Sequence, residues 1–104
     1  MLDPRGAIIE IEAGKLGDSR EKEIYRNLQV LYGTQTGEQA LDRDFGIDMN
    51  IMDYPQESAM ALLAAEYVRK TERYEPRAQV KRVKWTQAKE RDGIMIPKVV
   101  VSFV

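Results

Sequence analysis

Residues 56–86 read QESAMALLAAEYVRKTERYEPRAQVKRVKWT, and they decide the fold because a helical pattern changes there into a strand pattern. Five apolar residues recur at the spacing of one helix face: Met60, Leu63, Ala64, Tyr67 and Val68. Pro55 suits the start of a helix, and Pro76 ends it because the residue before a proline avoids the α conformation. The stretch therefore predicts a helix over residues 56–74.

The second half of this stretch predicts a β-strand. From residue 77 to residue 86, apolar and polar side chains alternate, but the alternation slips by one residue at Lys81-Arg82. A slip of this kind indicates a β-bulge, in which one strand carries an extra residue. A glycine-containing turn at residues 90–93 leads to a further strand over residues 94–104. Residues 99–101 are all valine, so we expect this part of the strand to be covered on both faces.

The N-terminal half adds one short strand, one helix and one long connection. Within residues 7–12, Ile9 and Ile11 alternate with Glu10 and Glu12, which is typical of a strand. Asp18 followed by Glu21 has the spacing of a helix N-cap, and an apolar stripe then predicts a helix over residues 19–32. The stripe consists of Ile24, Leu28 and Leu31. Residues 33–55 form the connection to the next helix.

These elements follow in the order β-α-loop-α-β-β, which predicts an α+β fold. We expect two helices packed on a small, mainly antiparallel sheet. The length of 104 residues fits one domain, so residues 1–104 are predicted to form a single core.

The composition excludes several classes of active site. The chain contains neither cysteine nor histidine, which excludes disulfides, thiolate metal sites, His-ligated zinc and a Ser-His-Asp triad. No apolar run approaches the about 20 residues that a membrane helix needs, and residues 1–5 lack the pattern of a signal peptide. We therefore expect a cytoplasmic binding or structural protein.

Charge is divided unevenly along the chain. Residues 1–66 hold 13 acidic and 6 basic side chains, whereas residues 67–104 hold 4 acidic and 10 basic ones. Two interpretations follow. Either the halves neutralise each other in the folded chain, or the basic half meets an acidic partner or nucleic acid.

The acidic residues of the long connection allow two chemical hypotheses. Four aspartates occupy positions of a calcium-binding loop: Asp42, Asp44, Asp48 and Asp53. The glycine that such a loop requires is replaced by Ile47, so the pattern favours a solvated loop with Asx turns. Glu38 with Asp42 or Asp44 could instead act as the acid and nucleophile of a peptidoglycan hydrolase.

The basic stretch from Arg69 to Arg91 allows a third hypothesis, a small nucleic-acid-binding domain. Tyr74 and Trp85 lie between its cations, as in many nucleic-acid surfaces. The same cations also fit the exposed face of a sheet, and the stretch contains no recognised nucleic-acid motif.

Three short motifs, taken in order, give the chain a resemblance to a known family. The first helix runs into LYGTQTGE at residues 31–38, the connection contains Asp44-Phe45-Gly46, and the second helix ends in Glu75-Pro76-Arg77. Over residues 20–104 this order and spacing resemble the baseplate-wedge or sheath-initiator family of contractile injection machines. That family includes phage tail baseplate protein W, the wedge protein labelled lysozyme-like, and a baseplate subunit of type VI secretion.

The resemblance implies a structural subunit of a contractile phage tail or tailocin, without enzyme activity, cofactor or metal. The implied partners are baseplate wedge core proteins, tail sheath subunits and neighbours in the inner tube or hub, with no nucleic acid and no membrane. The implied location is the tail baseplate of a particle assembled in the bacterial cytoplasm. The residues implied to contact partners are those of the motifs: Gly37, Glu38, Asp44, Phe45, Gly46, Glu75, Pro76 and Arg77.

The motif Glu75-Pro76-Arg77 has two interpretations. Pro76 fixes a stiff turn, and the planar guanidinium of Arg77 suits bidentate binding of a carboxylate. That carboxylate belongs either to the chain itself, as an internal clamp between strand and helix, or to a docked wedge protein. The two hypotheses are compatible, because a clamp can also present the turn to a partner.

Sheath initiation implies a strand edge that a sheath subunit can extend through main-chain hydrogen bonds. Residues 7–12 and 98–104 are the candidate edges, in a sheet that contains residues 78–86 and 94–103. We predict the sheath contact along the last strand, at the following residues: Val99, Val100, Val101 and Phe103. The alternative is a self-covered sheet that meets the sheath through side chains alone.

Overall fold

A computed structural model of the chain describes residues 10–14, 17–87 and 95–103. Its elements are β1 (Glu10–Glu12), α1 (Ser19–Gly33), a 3-10 helix (Met49–Asp53), α2 (Gln56–Tyr74), β2 (Ala78–Gln87) and β3 (Met95–Phe103). This order confirms the predicted α+β fold and the predicted extent of both helices. The predicted turn at residues 90–93 and the start of the first strand at residues 7–9 lie outside the described residues.

The sheet has the strand order β1-β3-β2, which puts β3 in its centre. β2 pairs with β3 antiparallel, as predicted, while β1 pairs with β3 in parallel, with Ile11 opposite Val99 and Glu12 opposite Val100. The prediction of an open edge at Val99 and Val100 is therefore wrong. The physical reason is hydrophobic burial, since the central position removes residues 99–101 from water and all three are buried.

A β-bulge keeps the apolar residues of β2 on one face. Val80 and Arg82 lie opposite two consecutive residues of β3, which leaves Lys81 as the extra residue. The bulge turns both Val80 and Val83 toward the core, where they pack against the buried cluster. The slip in the sequence pattern is thereby confirmed.

The helices cover one face of the sheet and enclose an apolar cluster. Ile24, Leu28 and Leu31 of α1 are buried in it, as their helical spacing predicts. The cluster also contains residues of α2 and β3: Ala59, Leu63, Tyr67, Val99 and Val101. No helix among the described residues is long and apolar enough to span a membrane.

Two tyrosines join α1 to α2 inside this cluster. The ring centroids of Tyr32 and Tyr67 lie 5.1 Å apart in an edge-to-face arrangement. The hydroxyl of Tyr32 also shares a hydrogen bond of 2.6 Å with Thr71. Burial raises the pKa of Tyr32 to about 12, because the charged phenolate is disfavoured away from water.

The buried face of α2 differs from the predicted stripe. Val68 is 38% exposed, whereas Glu66 and Lys70 are buried. The connection between the helices lies against this side of α2 and supplies polar partners for both charged side chains. Hydropathy alone favours burial of Val68, because it contains no information about such partners.

Ion pairs join the acidic half of the sequence to the basic half. A carboxylate oxygen of Glu12 lies 3.3 Å from Nζ of Lys98, and the other lies 3.9 Å from Nζ of Lys84. A carboxylate oxygen of Asp44 likewise forms an ion pair with Nζ of Lys70 in α2. The two halves therefore neutralise each other in part, which was the first interpretation of the charge pattern.

Candidate partner-binding corner and loop

Residues 75–77, here called the corner, form a tight turn between α2 and β2. The amide of Ala78 donates to the carbonyl of Glu75 at 3.0 Å, so Pro76 takes the second position of a four-residue turn. Proline favours that position because its ring fixes φ at about −65°. Pro76 is exposed, so the corner projects into solvent.

Arg77 binds the carboxylate of Glu75 through two parallel hydrogen bonds. Nε donates to Oε1 at 2.8 Å, and Nη2 donates to Oε2 at 3.0 Å. These bonds lower the pKa of Glu75 and raise the pKa of Arg77, so both groups stay charged at neutral pH. The Glu75 side chain is only 5% exposed, while that of Arg77 keeps 37% of its surface in water.

The contacts of the corner extend to α1. Nδ2 of Asn27 donates to Oε2 of Glu75 at 2.9 Å, and a carboxylate oxygen of Glu23 lies 3.8 Å from Nη1 of Arg77. The internal clamp considered from the sequence is thus present, and it joins α1, the end of α2 and the start of β2. Part of the Arg77 guanidinium remains open to solvent, so the clamp leaves room for a partner.

Asp44 fastens the connection between the helices onto α2. Its carboxylate lies 3.1 Å from Nζ of Lys70, contacts Arg73 and lies 4.0 Å from Arg69. Lys70 also donates to the main-chain carbonyl of Asp44, and the Lys70 side chain has no exposed surface. The hydrogen bond from Lys70 is the main reason that the pKa of Asp44 is lowered.

Phe45 and Gly46 complete this attachment. The ring of Phe45 meets the ring of Tyr74 at a centroid distance of 5.1 Å and an angle of 83°. Gly46 has a φ of +109°, and a Cβ at this position would lie 2.4 Å from the carbonyl oxygen of Thr34. Only glycine fits there. The close approach lets the amide of Ile47 donate to Thr34 at 2.8 Å.

Gly37 and Glu38 lie at the exposed tip of the same connection. The amide of Gly37 donates to the carbonyl of Arg43 at 2.8 Å and closes a short loop. Leu41 within this loop is 100% exposed. The structure therefore divides the predicted loop residues into an exposed tip and an attached base, the latter formed by residues 44–46.

A cleft of about 180 Å³ brings the corner and the attached base together. It is lined by Asn27, Val30, Leu31, Phe45, Tyr74 and Glu75. Each of the three motifs thus contributes one lining residue, namely Leu31, Phe45 and Glu75, although the last two are about thirty residues apart in sequence. Asn27 and Val30 were missed by the sequence analysis. The available signal was that Val30 is apolar yet lies outside the buried stripe of α1.

The acidic residues of the connection form turns and one cluster with cations. Oδ1 of Asp42 accepts from the amide of Asp44 at 3.1 Å, and Oδ1 of Asp48 accepts from the amide of Asn50 at 3.0 Å. These are the Asx turns expected of a solvated loop. Within residues 10–14, 17–87 and 95–103, no group of three carboxylates converges so that it could hold a metal ion.

Comparisons with known proteins show similarity in fold alone. No model of a protein family matches the chain, and no curated protein sequence matches it either. The fold is similar to a chain of the anti-feeding prophage (AFP) baseplate, determined by cryo-electron microscopy with 6-fold symmetrisation. The TM-score is 0.67 at 23% identity, over 78% of this chain and 66% of that chain, so the similarity spans slightly less than two thirds of the baseplate chain.

The fold is also similar to a crystal structure from Geobacter sulfurreducens that carries the provisional description of a tail lysozyme. Here the TM-score is 0.58 at 18% identity, over 88% of this chain and 96% of that chain. At these identities the two likenesses establish a shared fold. The chain therefore shares its α+β fold with part of a chain in the AFP baseplate structure.

Gly46→Ala is expected to lower the free energy of unfolding by about 1–3 kcal/mol or more, because alanine is strained at this φ and its Cβ meets the Thr34 carbonyl. Chemical denaturation followed by circular dichroism measures the change. Gly33→Ala is the matched control, since a Cβ at Gly33 meets no atom within 4 Å. Equal destabilisation by the two substitutions would contradict the prediction.

Asp44→Asn is expected to lower stability at neutral pH and to weaken its dependence on pH. The pKa of Asp44 is lower in the folded chain, so its stabilising effect is present above the ordinary aspartate pKa and is lost as the pH falls through the folded-state value. The measurement is the urea midpoint between about pH 7 and pH 2.

The matched control for Asp44→Asn is Asp53→Asn. It removes the same charge from an exposed side chain that has no ion pair in the described part of the chain. We expect this control to follow the wild-type pH dependence. The prediction is wrong if Asp44→Asn loses as much stability on acidification as the wild type does.

Proposed function

We propose that this chain is a structural, non-enzymatic subunit in the baseplate of a contractile tail, whether of a phage, a prophage particle or a tailocin. The observation that carries the proposal is the cleft that gathers the corner and the attached base on one surface. The likeness in fold to a chain of the AFP baseplate supports it. Its proposed neighbours are therefore other baseplate and tail proteins.

The corner and the cleft form the proposed docking surface for the wedge core proteins. The cleft offers apolar contact through Val30, Phe45 and Tyr74, and the exposed part of Arg77 adds a cation beside it. A partner that places an apolar side chain in the cleft and a carboxylate near Arg77 uses both features. The bonds to Glu75 hold Arg77 in place before a partner arrives, which lowers the entropic cost of binding.

The exposed tip is a second proposed contact with neighbouring tail proteins, including those of the inner tube or hub. Gly37 and Glu38 lie on it, and both are exposed. Leu41 is fully exposed on the same tip, so the tip offers an apolar side chain as well as a carboxylate. A partner covering Leu41 would remove apolar surface from water.

Extension of the sheet by a sheath strand needs an open strand edge, and β2 offers the longer one. Val99 and Val100 lie between two strands and are not available, while Val101 and Phe103 lie beyond the described pairing with β1. β2 has 10 residues and, within the described residues, pairs with β3 alone. We therefore assign the proposed sheath contact to the free side of β2.

A carboxylate-based hydrolase fits these residues less well. Such an enzyme needs one carboxyl group whose pKa is raised by an apolar surrounding. The pKa values of Glu12, Asp44 and Glu75 are instead lowered, in each case chiefly by a hydrogen bond from a cationic side chain. Glu38 lies on the exposed tip. The description of the Geobacter relative as a lysozyme is therefore not carried over to this chain.

A nucleic-acid-binding role is also less well supported. Several cations of the basic stretch contact carboxylates of the chain itself: Arg69, Lys70, Arg73, Arg77 and Lys84. Each of these contacts reduces the positive charge available for phosphates.

Arg77→Ala is expected to leave a folded domain but to abolish co-purification with the wedge core proteins co-expressed from the same tail gene cluster. The fold should persist because the apolar cluster is unchanged, while docking loses its cation and its fixed corner. Arg26→Ala is the matched control, since it removes an exposed cation of α1 outside the corner. Circular dichroism and pull-down measure the two effects.

A second substitution separates docking from the clamp. Val30 is 54% exposed in the cleft and makes no contact in the clamp, so Val30→Ser should keep the fold and weaken the pull-down. The docking proposal is wrong if Val30→Ser and a folded Arg77→Ala both co-purify normally. With the same preparations, clearing of peptidoglycan that Glu38→Gln abolishes would overturn the non-enzymatic function.

Hydrogen–deuterium exchange is expected to locate the sheath contact on β2. Amides on the free side of β2 should exchange quickly in isolated baseplates and slowly after sheath subunits assemble, because a sheath strand then accepts their hydrogen bonds. Peptides covering residues 78–87 report the change. The proposal is contradicted if protection on sheath assembly is unchanged in these peptides, and α1 provides the internal reference.

A further inference from the structure

A second surface lies at the opposite end of α2 from the corner. α2 has 19 residues and is therefore about 27 Å long. Its N-terminal half and the preceding 3-10 helix border a groove of about 410 Å³, here called the acidic groove. The acidic groove is lined by Asp48, Asn50, Ile51, Asp53, Tyr54 and Leu62. The corner follows the last residue of α2, so the two surfaces are separate.

Two of the residues that line the acidic groove, Tyr54 and Leu62, are large, apolar and exposed. Tyr54 is 57% exposed and Leu62 is 43% exposed, which places both among the large hydrophobic residues that the fold leaves in water. Apolar side chains grouped around a depression mark an interaction surface more strongly than scattered ones do. Tyrosine also suits such a surface, because it joins an apolar ring to a polar hydroxyl.

The carboxylates of the acidic groove have no cationic partner in the described part of the chain, in contrast to three other carboxylates next to α2. Asp44, Glu66 and Glu75 each contact a lysine or an arginine. Asp48 and Asp53 contact none within the part of the chain that the structure describes, and Asp48 accepts only from a main-chain amide, at 3.0 Å. The acidic groove therefore presents negative charge that these residues leave unneutralised.

We propose that the acidic groove binds a segment of another protein that carries a large apolar side chain flanked by lysine or arginine. The apolar side chain packs against Tyr54 and Leu62, and the flanking cations pair with Asp48 and Asp53. Charge complementarity of this kind selects the partner and speeds its association. The inference goes beyond the docking proposed above, since it uses neither the corner nor the cleft.

A second copy of the chain matches the acidic groove less well. Arg82, Lys84 and Lys98 lie on the outer face of the sheet and have the right charge, but two of them already share Glu12. Among the residues whose burial the structure describes, none of the exposed large hydrophobic ones belongs to that face: they are Val30, Leu41, Tyr54, Leu62 and Val68. A copy could therefore offer an apolar anchor only from elsewhere, as with Leu41 on the tip.

The test is an NMR titration of the full chain with three synthetic peptides. The first alternates leucine with lysine, the second replaces lysine with glutamate, and the third replaces leucine with serine. We expect the first peptide to bind, with the largest amide shifts in residues 48–54 and 58–62 and with weaker binding at high salt. The other two peptides should bind at least about tenfold more weakly.

Variants of the acidic groove make the test specific. Asp53→Lys and Tyr54→Ser change exposed side chains, so an unchanged unfolding midpoint should accompany a loss of affinity of about tenfold or more. Glu72→Lys and Val68→Ser are the matched controls, because they make comparable changes at exposed positions of α2 outside the acidic groove. Both controls are expected to bind the first peptide as the wild type does.

Four outcomes would overturn the proposal. They are equal binding of the leucine–lysine and leucine–glutamate peptides, largest shifts outside the acidic groove, equal losses in the control variants, and no binding of any peptide up to its solubility limit. Sedimentation of the chain alone adds a fifth. Self-association that Leu41→Ser and Asp53→Lys both abolish would assign the acidic groove to a second copy.

Discussion

Lys70 carries a positive charge on a side chain with no exposed surface, and the arrangement of the connection depends on meeting that charge. A buried cation without a partner costs several kcal/mol, so a carboxylate and a carbonyl must reach it. Asp44 supplies both. The connection is thereby held against α2. Further along the connection, the main-chain amide of Asp48 donates a hydrogen bond to the carboxylate of Glu66 in α2. This explains why α2 buries two charged residues while Val68 stays exposed.

The same attachment produces the cleft. Phe45 is held against Tyr74 on one side, and the clamp of Glu75 with Arg77 and Asn27 stands on the other. Phe45 and Glu75, which belong to the motifs, thus have partners within the chain and also line the cleft. A fixed guanidinium beside an apolar cleft is suited to recognition, because its orientation is set before binding.

The described residues of the chain present several separate surfaces. The corner and the acidic groove lie at opposite ends of α2, while the free side of β2 lies on the sheet. Such a distribution suits a subunit that touches several neighbours at once.

The sequence by itself determined the helices, the bulge and the turn at Pro76, because caps, prolines and periodicity act over a few residues. Asp18 and Pro76 are examples, since each bounds a helix through local chemistry. Only the tertiary structure decided the central place of β3, the parallel pairing of β1, the burial of Lys70 and the cleft. These features depend on contacts between residues far apart in sequence, such as Ile11 with Val99, and no local pattern contains that pairing.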